Sequence, residues 1–290
     1  MDTKDILKKV RKIEIKTKEL SKHLFSGEYS STFKGRGMSF SEVREYLFGD
    51  DIRSIDWNVT ARTGDPHVKI YEEERELTVM FLIDISRSSF FGTQNQFKSE
   101  INAEICATLA FSALNNNDKV GAVLFTDRVE KFIPPKKGRQ HILRIIREVI
   151  YFEPEHRGTH LTEALVYFNN VIKKRSIAFM LSDFYSDDYE EALKVVAKRH
   201  DIIGVKVYDD LESHIPNVGL IKVRDAESGE EKIVDTSSSQ VREMYKSNFQ
   251  SHQDYFVRAF RKCGADTLVI NTMEDYVKHL LKFFKSRHHK

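Results

Sequence analysis

Residues 81–92 read FLIDISRSSFFG. An apolar run typical of a buried strand leads into Asp84, and Ser86 and Ser88 follow at alternate positions. A spacing of two in a turning loop lets the three oxygen-bearing side chains point toward one place. The stretch therefore predicts a strand that ends in a cluster of polar ligands.

Apolar, β-rich runs of the same kind recur along the chain, and helical segments separate them. The predicted strands are 78–84, 119–127, 176–183, 201–209 and 265–272, and the predicted helices are 97–118, 141–150, 159–174, 189–200, 239–264 and 273–287. The strands lack strict polar alternation, so helices should cover both faces of a mostly parallel sheet. Two antiparallel excursions are expected, at 128–135 and 220–235. We predict one doubly wound α/β domain over 77–290.

Composition limits the classes of function. The chain has 290 residues, and its 46 basic and 44 acidic residues give a net charge of +2. This balance lacks the excess of positive charge that is typical of nucleic-acid-binding proteins. Cys106 and Cys263 lie far apart and are predicted to be free thiols. No apolar run approaches the roughly 18 residues of a membrane span, and the charged N-terminus does not resemble a signal peptide. We therefore expect a cytoplasmic protein without a transmembrane segment.

Residues 1–26 are predicted to form an amphipathic helix. Apolar side chains recur at spacings of four and three, and lysines occupy most other positions. Such helices most often dock on their own domain, but peripheral contact with an anionic membrane or with a partner is also consistent with the pattern.

Two predicted strands end in aspartate, Asp84 and Asp183, and Thr159 opens the helix between them. Ligands of an open parallel sheet bind outside the carboxyl ends of its strands, so distant residues can meet there. Two carboxylates with the hydroxyls of Ser86, Ser88 and Thr159 form a set of hard oxygen donors. Such a set suits Mg²⁺ best; Mn²⁺ is also compatible, and Ca²⁺ fits less well.

This arrangement of motifs resembles the metal-ion-dependent adhesion site of von Willebrand factor A domains. The matching elements are D-x-S-x-S, the later G-T-x-L-T-x-A-L, and an aspartate that ends a following strand; the matched positions are Asp84, Ser86, Ser88, Thr159 and Asp183. Where the family usually has T-D-G, this chain has Ser182–Asp183–Phe184. The resemblance implies a divalent cation whose open coordination position is filled by an acidic residue of a partner protein.

A second block, residues 35–76, combines many charges with a few aromatic residues. It contains GRGMSF, REYLFGDDIRSIDW and ARTGDP, and it resembles the signature of the bacterial domain of unknown function family 58. That resemblance implies an adaptor or co-chaperone that works with a MoxR-type AAA+ ATPase or its client. We assign 27–76 to this signature module.

Paired charges in this module indicate a structural salt-bridge network, and part of the module could be a docking surface. Asp50 and Asp51 follow Gly49 in a predicted turn, where they could contact a partner or offer an acid to the metal. Phe184 and Tyr185 follow Asp183, and we expect them to form the rim of the partner-binding face.

Motifs of common enzymes are missing. Ser86 stands where an aspartyl-phosphate phosphatase carries its second acid, and no G-x-S-x-G or phosphate-binding loop occurs. His156 and His160 flank Thr159, but their spacing lacks the glutamate of a zinc hydrolase, and we interpret them as solvated or helix-capping residues. We therefore predict no catalytic residue; the alternative is a metal-dependent hydrolase or phosphatase that uses Asp84.

Overall fold

The computed structural model describes residues 39–72, 77–90, 97–156, 158–186, 188–224 and 229–288. The chain divides into two compact units, with a boundary between Leu77 and Thr78. The amphipathic helix predicted for 1–26 lies outside the described residues.

The smaller unit is built on an antiparallel pair of strands. Its elements are β1 (Ser39–Glu45), a short 3₁₀ helix (Ile52–Ser54), α1 (Trp57–Thr63) and β2 (His67–Glu72). Asp56 caps α1 by accepting hydrogen bonds from the backbone N–H groups of Asn58 and Val59. Gly64 ends the helix with a φ of 88°, a left-handed conformation that suits glycine.

Ion pairs organise the loop of the smaller unit, as its charge pattern indicated. Both carboxylate oxygens of Asp50 accept hydrogen bonds from the Arg44 guanidinium, at 2.7 and 2.8 Å. Asp51 caps the 3₁₀ helix by accepting from the Arg53 N–H at 3.0 Å. Asp50 and Asp51 are thus already engaged in local structure, which supports the structural interpretation of this module.

The larger unit contains a six-stranded sheet between layers of helices. Its strands are β3 (Thr78–Asp84), β4 (Lys119–Phe125), β5 (Val129–Lys136), β6 (Ile177–Ser182), β7 (Asp201–Tyr208) and β10 (Asp266–Asn271), with β8 (Leu220–Arg224) and β9 (Glu231–Asp235) forming a separate hairpin. Its α-helices are α2 (Lys98–Asn115), α3 (Arg139–Tyr151), α4 (Leu161–Val171), α5 (Glu190–Arg199), α6 (Asp210–Ser213), α7 (Ser239–Lys262) and α8 (Tyr276–His288).

The sheet order is β10-β7-β6-β3-β4-β5, with every neighbouring pair parallel except β4 and β5. All six residues of β6 are buried, because helices cover both faces. The doubly wound, mostly parallel sheet and both antiparallel excursions predicted from the sequence are confirmed. The order also places the ends of β3 and β6 side by side at the centre of the sheet.

Close packing of α7 on β7 depends on Gly204. A Cβ atom at this position would lie 2.7 Å from ring atoms of Phe256 and of Phe260. Both cysteines are free thiols, and none of the helices in the described ranges is long and apolar enough to cross a membrane.

Candidate metal centre

Two buried aspartates lie at the neighbouring ends of β3 and β6. Asp84 is 1% exposed and Asp183 is 6% exposed. The two strands pair in parallel up to Ile83 and Leu181, so both carboxyl ends reach the same edge of the sheet. The Ser182 hydroxyl donates a hydrogen bond of 2.6 Å to Asp84 Oδ2 and joins the two strand ends directly.

A chain of hydrogen bonds connects four of the five residues predicted to bind metal. Asp84 Oδ1 accepts from the Ser86 N–H at 2.9 Å. The hydroxyl oxygens of Ser86 and Ser88 lie 3.0 Å apart, and the Ser88 hydroxyl is hydrogen-bonded to Asp183. The alternate spacing of Asp84, Ser86 and Ser88 thus gathers their oxygens at one place.

Thr159, the fifth predicted residue, lies on the loop before α4. The N–H of the next residue, His160, donates to the Thr126 carbonyl oxygen at 3.0 Å, directly after β4. Since β4 pairs with β3, this bond holds the loop at the same edge of the sheet. His160 also caps α4 by accepting from the Glu163 N–H, which agrees with the capping interpretation of this histidine.

Burial and nearby charges shift the pKa values of the two aspartates in opposite directions. Burial, with the nearby charge of Asp183 second, raises the pKa of Asp84 to about 7. Burial acts on Asp183 in the same sense, but the Lys98 ammonium and hydrogen bonds from Ser88 and the Tyr185 N–H hold its pKa below the usual range. A cation near Asp84 would relieve the cost of its burial.

Lys98 is the residue of the candidate centre that the sequence interpretation missed. Its side chain is 2% exposed, and its Nζ lies 3.3 Å from Asp183 Oδ2 and 2.5 Å from Glu212 Oε1. Lys98 is the first residue and the one basic residue of α2, where the helix dipole disfavours a cation. That mismatch was the available signal that this lysine has a specific anionic partner.

A pocket of about 280 Å³ adjoins this ion pair. Its lining consists of Tyr185, Glu212, Tyr245, Asn248, Phe249 and His252. The fully buried Lys206 lies behind it, with Nζ 5.0 Å from the Tyr185 ring centroid and 5.1 Å from that of Phe249. Among the described residues, Lys206 Nζ has no hydrogen-bond acceptor, and burial lowers its pKa to about 8.

The expected rim of the site needs one correction. Phe184 is fully buried, with its ring centroid 4.2 Å from that of Phe256, so its side chain packs in the core and does not form a partner-binding rim. A positive φ of 55° at Phe184 turns the chain, and Tyr185, 42% exposed, is the residue that faces outward. A partner-binding role for Tyr185, Asp50 or Asp51 stays a prediction.

A second group of possible metal ligands lies nearby: Glu130, Glu155 and His156 offer atoms within 4.8 Å of one another. Glu130 Oε1, however, already accepts hydrogen bonds from the Thr126 hydroxyl, the His156 N–H and His156 Nδ1, at 2.9 to 3.0 Å. Burial opposes ionisation of Glu130, but these donors keep its pKa below the usual range. We therefore interpret the group as a structural contact: Glu130 binds His156 and Thr126 and so fixes the loop around His156.

The strand order and the polar cluster at the ends of β3 and β6 define a von Willebrand factor A-type α/β domain. The chain belongs to the family described as Protein of unknown function DUF58, which it matches over residues 42–255.

Relatives of the chain are found in mycobacteria. An uncharacterized protein of Mycobacterium tuberculosis is 28% identical over 283 residues, which cover 96% of this chain and 88% of the relative. An uncharacterized protein of Mycobacterium avium is 28% identical over 159 residues, covering 53% of this chain and 93% of the relative.

Solved structures with a similar arrangement share little sequence with this chain. The conserved hypothetical protein BatB from Bacteroides thetaiotaomicron is 14% identical, with a TM-score of 0.48, over 74% of this chain and 100% of that one. The SpRpn10 VWA domain is 12% identical, with a TM-score of 0.43, over 72% of this chain and 95% of that one.

Proposed function

We propose that the protein is a non-enzymatic, metal-dependent protein-binding module. Its divalent cation, Mg²⁺ in the first place, would be held by oxygens of Asp84, Ser86, Ser88, Thr159 and Asp183. An acidic side chain of a partner protein would complete the coordination.

The observation that carries the proposal is the hydrogen-bonded chain from Asp84 through Ser86 and Ser88 to Asp183. It joins two buried carboxylates and two hydroxyls, which are hard donors of the kind that Mg²⁺ prefers. Burial of a carboxylate is unfavourable unless a cation or hydrogen bonds compensate it. The donor set therefore fits a hard divalent cation.

The residues of the site would act by positioning charge. Bonds from Ser182 and from the Ser86 N–H fix both oxygens of Asp84 before any ligand arrives. A bound divalent cation supplies a Lewis-acidic position for an incoming carboxylate. Two protein carboxylates bring its local charge near neutral, so a third still meets useful attraction in a partly dry contact.

For the partner, we propose a MoxR-type AAA+ ATPase or its client, with the chain as adaptor or co-chaperone in the cytoplasm. This part rests on the resemblance of residues 35–76 to the family signature. Tyr185, an exposed aromatic residue two positions after Asp183, is our proposed rim contact.

A hydrolase or phosphatase that uses Asp84 is the alternative. Attack by Asp84 would need a phosphate-bearing substrate to reach a side chain that is 1% exposed, whereas a small cation needs much less room. The chain also lacks the second acid that such enzymes use as a general acid–base group, because Ser86 stands at that position.

Affinity capture with purified protein as bait, in Mg²⁺ or in EDTA, tests the proposal. Native protein should recover an ATPase or client in Mg²⁺ only, and Asp84→Ala/Ser86→Ala should recover none. Asp127→Asn, at an exposed acid outside the cluster, is the matched control and should behave as native. Recovery indifferent to both chelator and substitution would overturn the metal bridge, and phosphate release abolished by Asp84→Asn would establish the alternative.

A further inference from the structure

We propose that Lys98 is an internal counter-cation of the candidate metal centre. It competes with the divalent cation for Asp183, and Glu212 is the carboxylate that keeps the lysine when the cation binds. The inference rests on the proposed function, since it concerns the regulation of the same centre.

The geometry already favours Glu212 as the main partner of Lys98. Lys98 Nζ lies 2.5 Å from Glu212 Oε1 but 3.3 Å from Asp183 Oδ2. For Asp183 to turn toward a metal ion, Lys98 has to loosen only its longer contact, the one of 3.3 Å to Asp183 Oδ2. The exchange therefore needs no rearrangement of α2, and the ammonium keeps a charged partner throughout.

Glu212 is held in place to receive the lysine. Its second oxygen, Oε2, accepts from the Asp209 N–H at 2.8 Å, as part of a capping box at the start of α6. Its side chain is 16% exposed and lines the pocket of about 280 Å³. The fixed carboxylate can therefore hold Lys98 whether or not Asp183 contributes.

The balance of charge explains why such a lysine matters. Asp84, Asp183 and Glu212 carry three carboxylates, and the buried ammonium groups beside them in the described part of the chain are those of Lys98 and Lys206. The metal-free centre is thus close to compensated, which a site of bare carboxylates would not be. The two ammonium groups also weaken the attraction of the centre for a divalent cation. Once a cation has bound, the positive charges exceed the three carboxylates, and this excess favours an acidic partner.

Calorimetric titration of the full chain with Mg²⁺ tests the inference. Lys98→Met, which keeps the length of the side chain and removes its charge, should bind Mg²⁺ at least tenfold more tightly than native protein. The same variant should lose thermal stability in EDTA and regain it in Mg²⁺. Lys194→Met, at an exposed lysine of α5, is the control and should titrate as native.

A second variant gives the opposite result. Glu212→Gln leaves Asp183 as the charged partner of Lys98, so Mg²⁺ binding should become several-fold weaker. In Lys98→Met/Glu212→Gln the glutamine should have little effect, because the lysine that it releases is gone. Opposite changes in Mg²⁺ affinity in the two single variants would not come from a structural role alone. If Lys98→Met does not fold, the affinity of Glu212→Gln tests the inference.

The outcomes separate the two proposals. If native protein binds Mg²⁺ and Lys98→Met binds it no more tightly, the counter-cation is overturned while the metal centre stands. If native protein binds weakly or not at all and Lys98→Met binds well, the inference is supported directly. If no folded variant binds Mg²⁺, both proposals fail.

Discussion

The Ser182 hydroxyl lies 2.6 Å from Asp84 Oδ2 and donates to it across the ends of β6 and β3. Ser182→Ala would leave a buried Asp84 oxygen without this donor and the Phe184 N–H without its acceptor, at a cost of about 1–3 kcal/mol in the free energy of unfolding. Urea denaturation in EDTA measures it. The control is Ser112→Ala, because the buried Ser112 hydroxyl has no hydrogen-bond partner among the described residues. Equal losses in both variants would show that the hydrogen bonds of the Ser182 hydroxyl contribute nothing.

Phe184 should behave as a core residue. Its ring is fully buried and lies against Phe256 and Phe260, with centroids 4.2 and 5.5 Å away. Phe184→Ala should therefore lower the free energy of unfolding by about 3–5 kcal/mol. Val195→Ala, at an exposed position of α5, should change it by less than about 1 kcal/mol. A stable Phe184→Ala protein that has lost only partner binding would restore the rim assignment.

The sequence predicted what depends on local patterns. Apolar runs predicted the strands of the sheet, and the two-residue spacing of Asp84, Ser86 and Ser88 predicted their convergence. Asp183 was found because it ends an apolar run, as Asp84 does. Each of these signals lies within about ten residues, where periodicity and strand ends can be recognised.

Contacts across long separations could not be predicted in the same way. Lys98 meets Asp183 and Glu212 across 85 and 114 residues, and nothing in the local pattern pairs them. The inward turn of Phe184 follows from a positive φ that a bulky residue seldom adopts, so the residues after Asp183 suggested an exposed aromatic pair. Tertiary packing decided both features.

His200 should make the fold sensitive to acid. It is 2% exposed, its Nδ1 lies 2.9 Å from the Ser176 hydroxyl, and burial lowers its pKa to about 4. Below its ordinary value of 6.5, the unfolded chain takes up a proton that the folded chain does not. The contribution of His200 to stability is therefore complete above about pH 6.5 and is lost as the pH falls toward 4.

Chemical denaturation at pH 7 and pH 5 tests this dependence. Native protein should lose about 1–2 kcal/mol more than His200→Asn between these values, because asparagine can keep a polar atom near Ser176 without titrating. The same pH dependence in both proteins would rule out His200 as its source.

Glu130 should hold the loop that carries Thr159 in place. Its Oε1 accepts from the Thr126 hydroxyl and from the N–H of His156, and the next turn of the loop is tied to Thr126 through the His160 N–H. Glu130→Ala removes the shared acceptor, so the His156 amide should exchange hydrogen at least tenfold faster. Under the proposed function, Mg²⁺ affinity should fall with it, because Thr159 would be less well positioned.

The matched control is Glu153→Ala, an exposed acid of the same loop whose removal should change neither measurement. Exchange by mass spectrometry and titration with Mg²⁺ give independent results. Fast exchange with unchanged affinity would show that Glu130 holds the loop but that Thr159 does not contribute to the metal centre. Unchanged hydrogen exchange at the His156 amide would show that Glu130 does not fix the loop, because a hydrogen bond that fixes the loop must protect the amide that donates it.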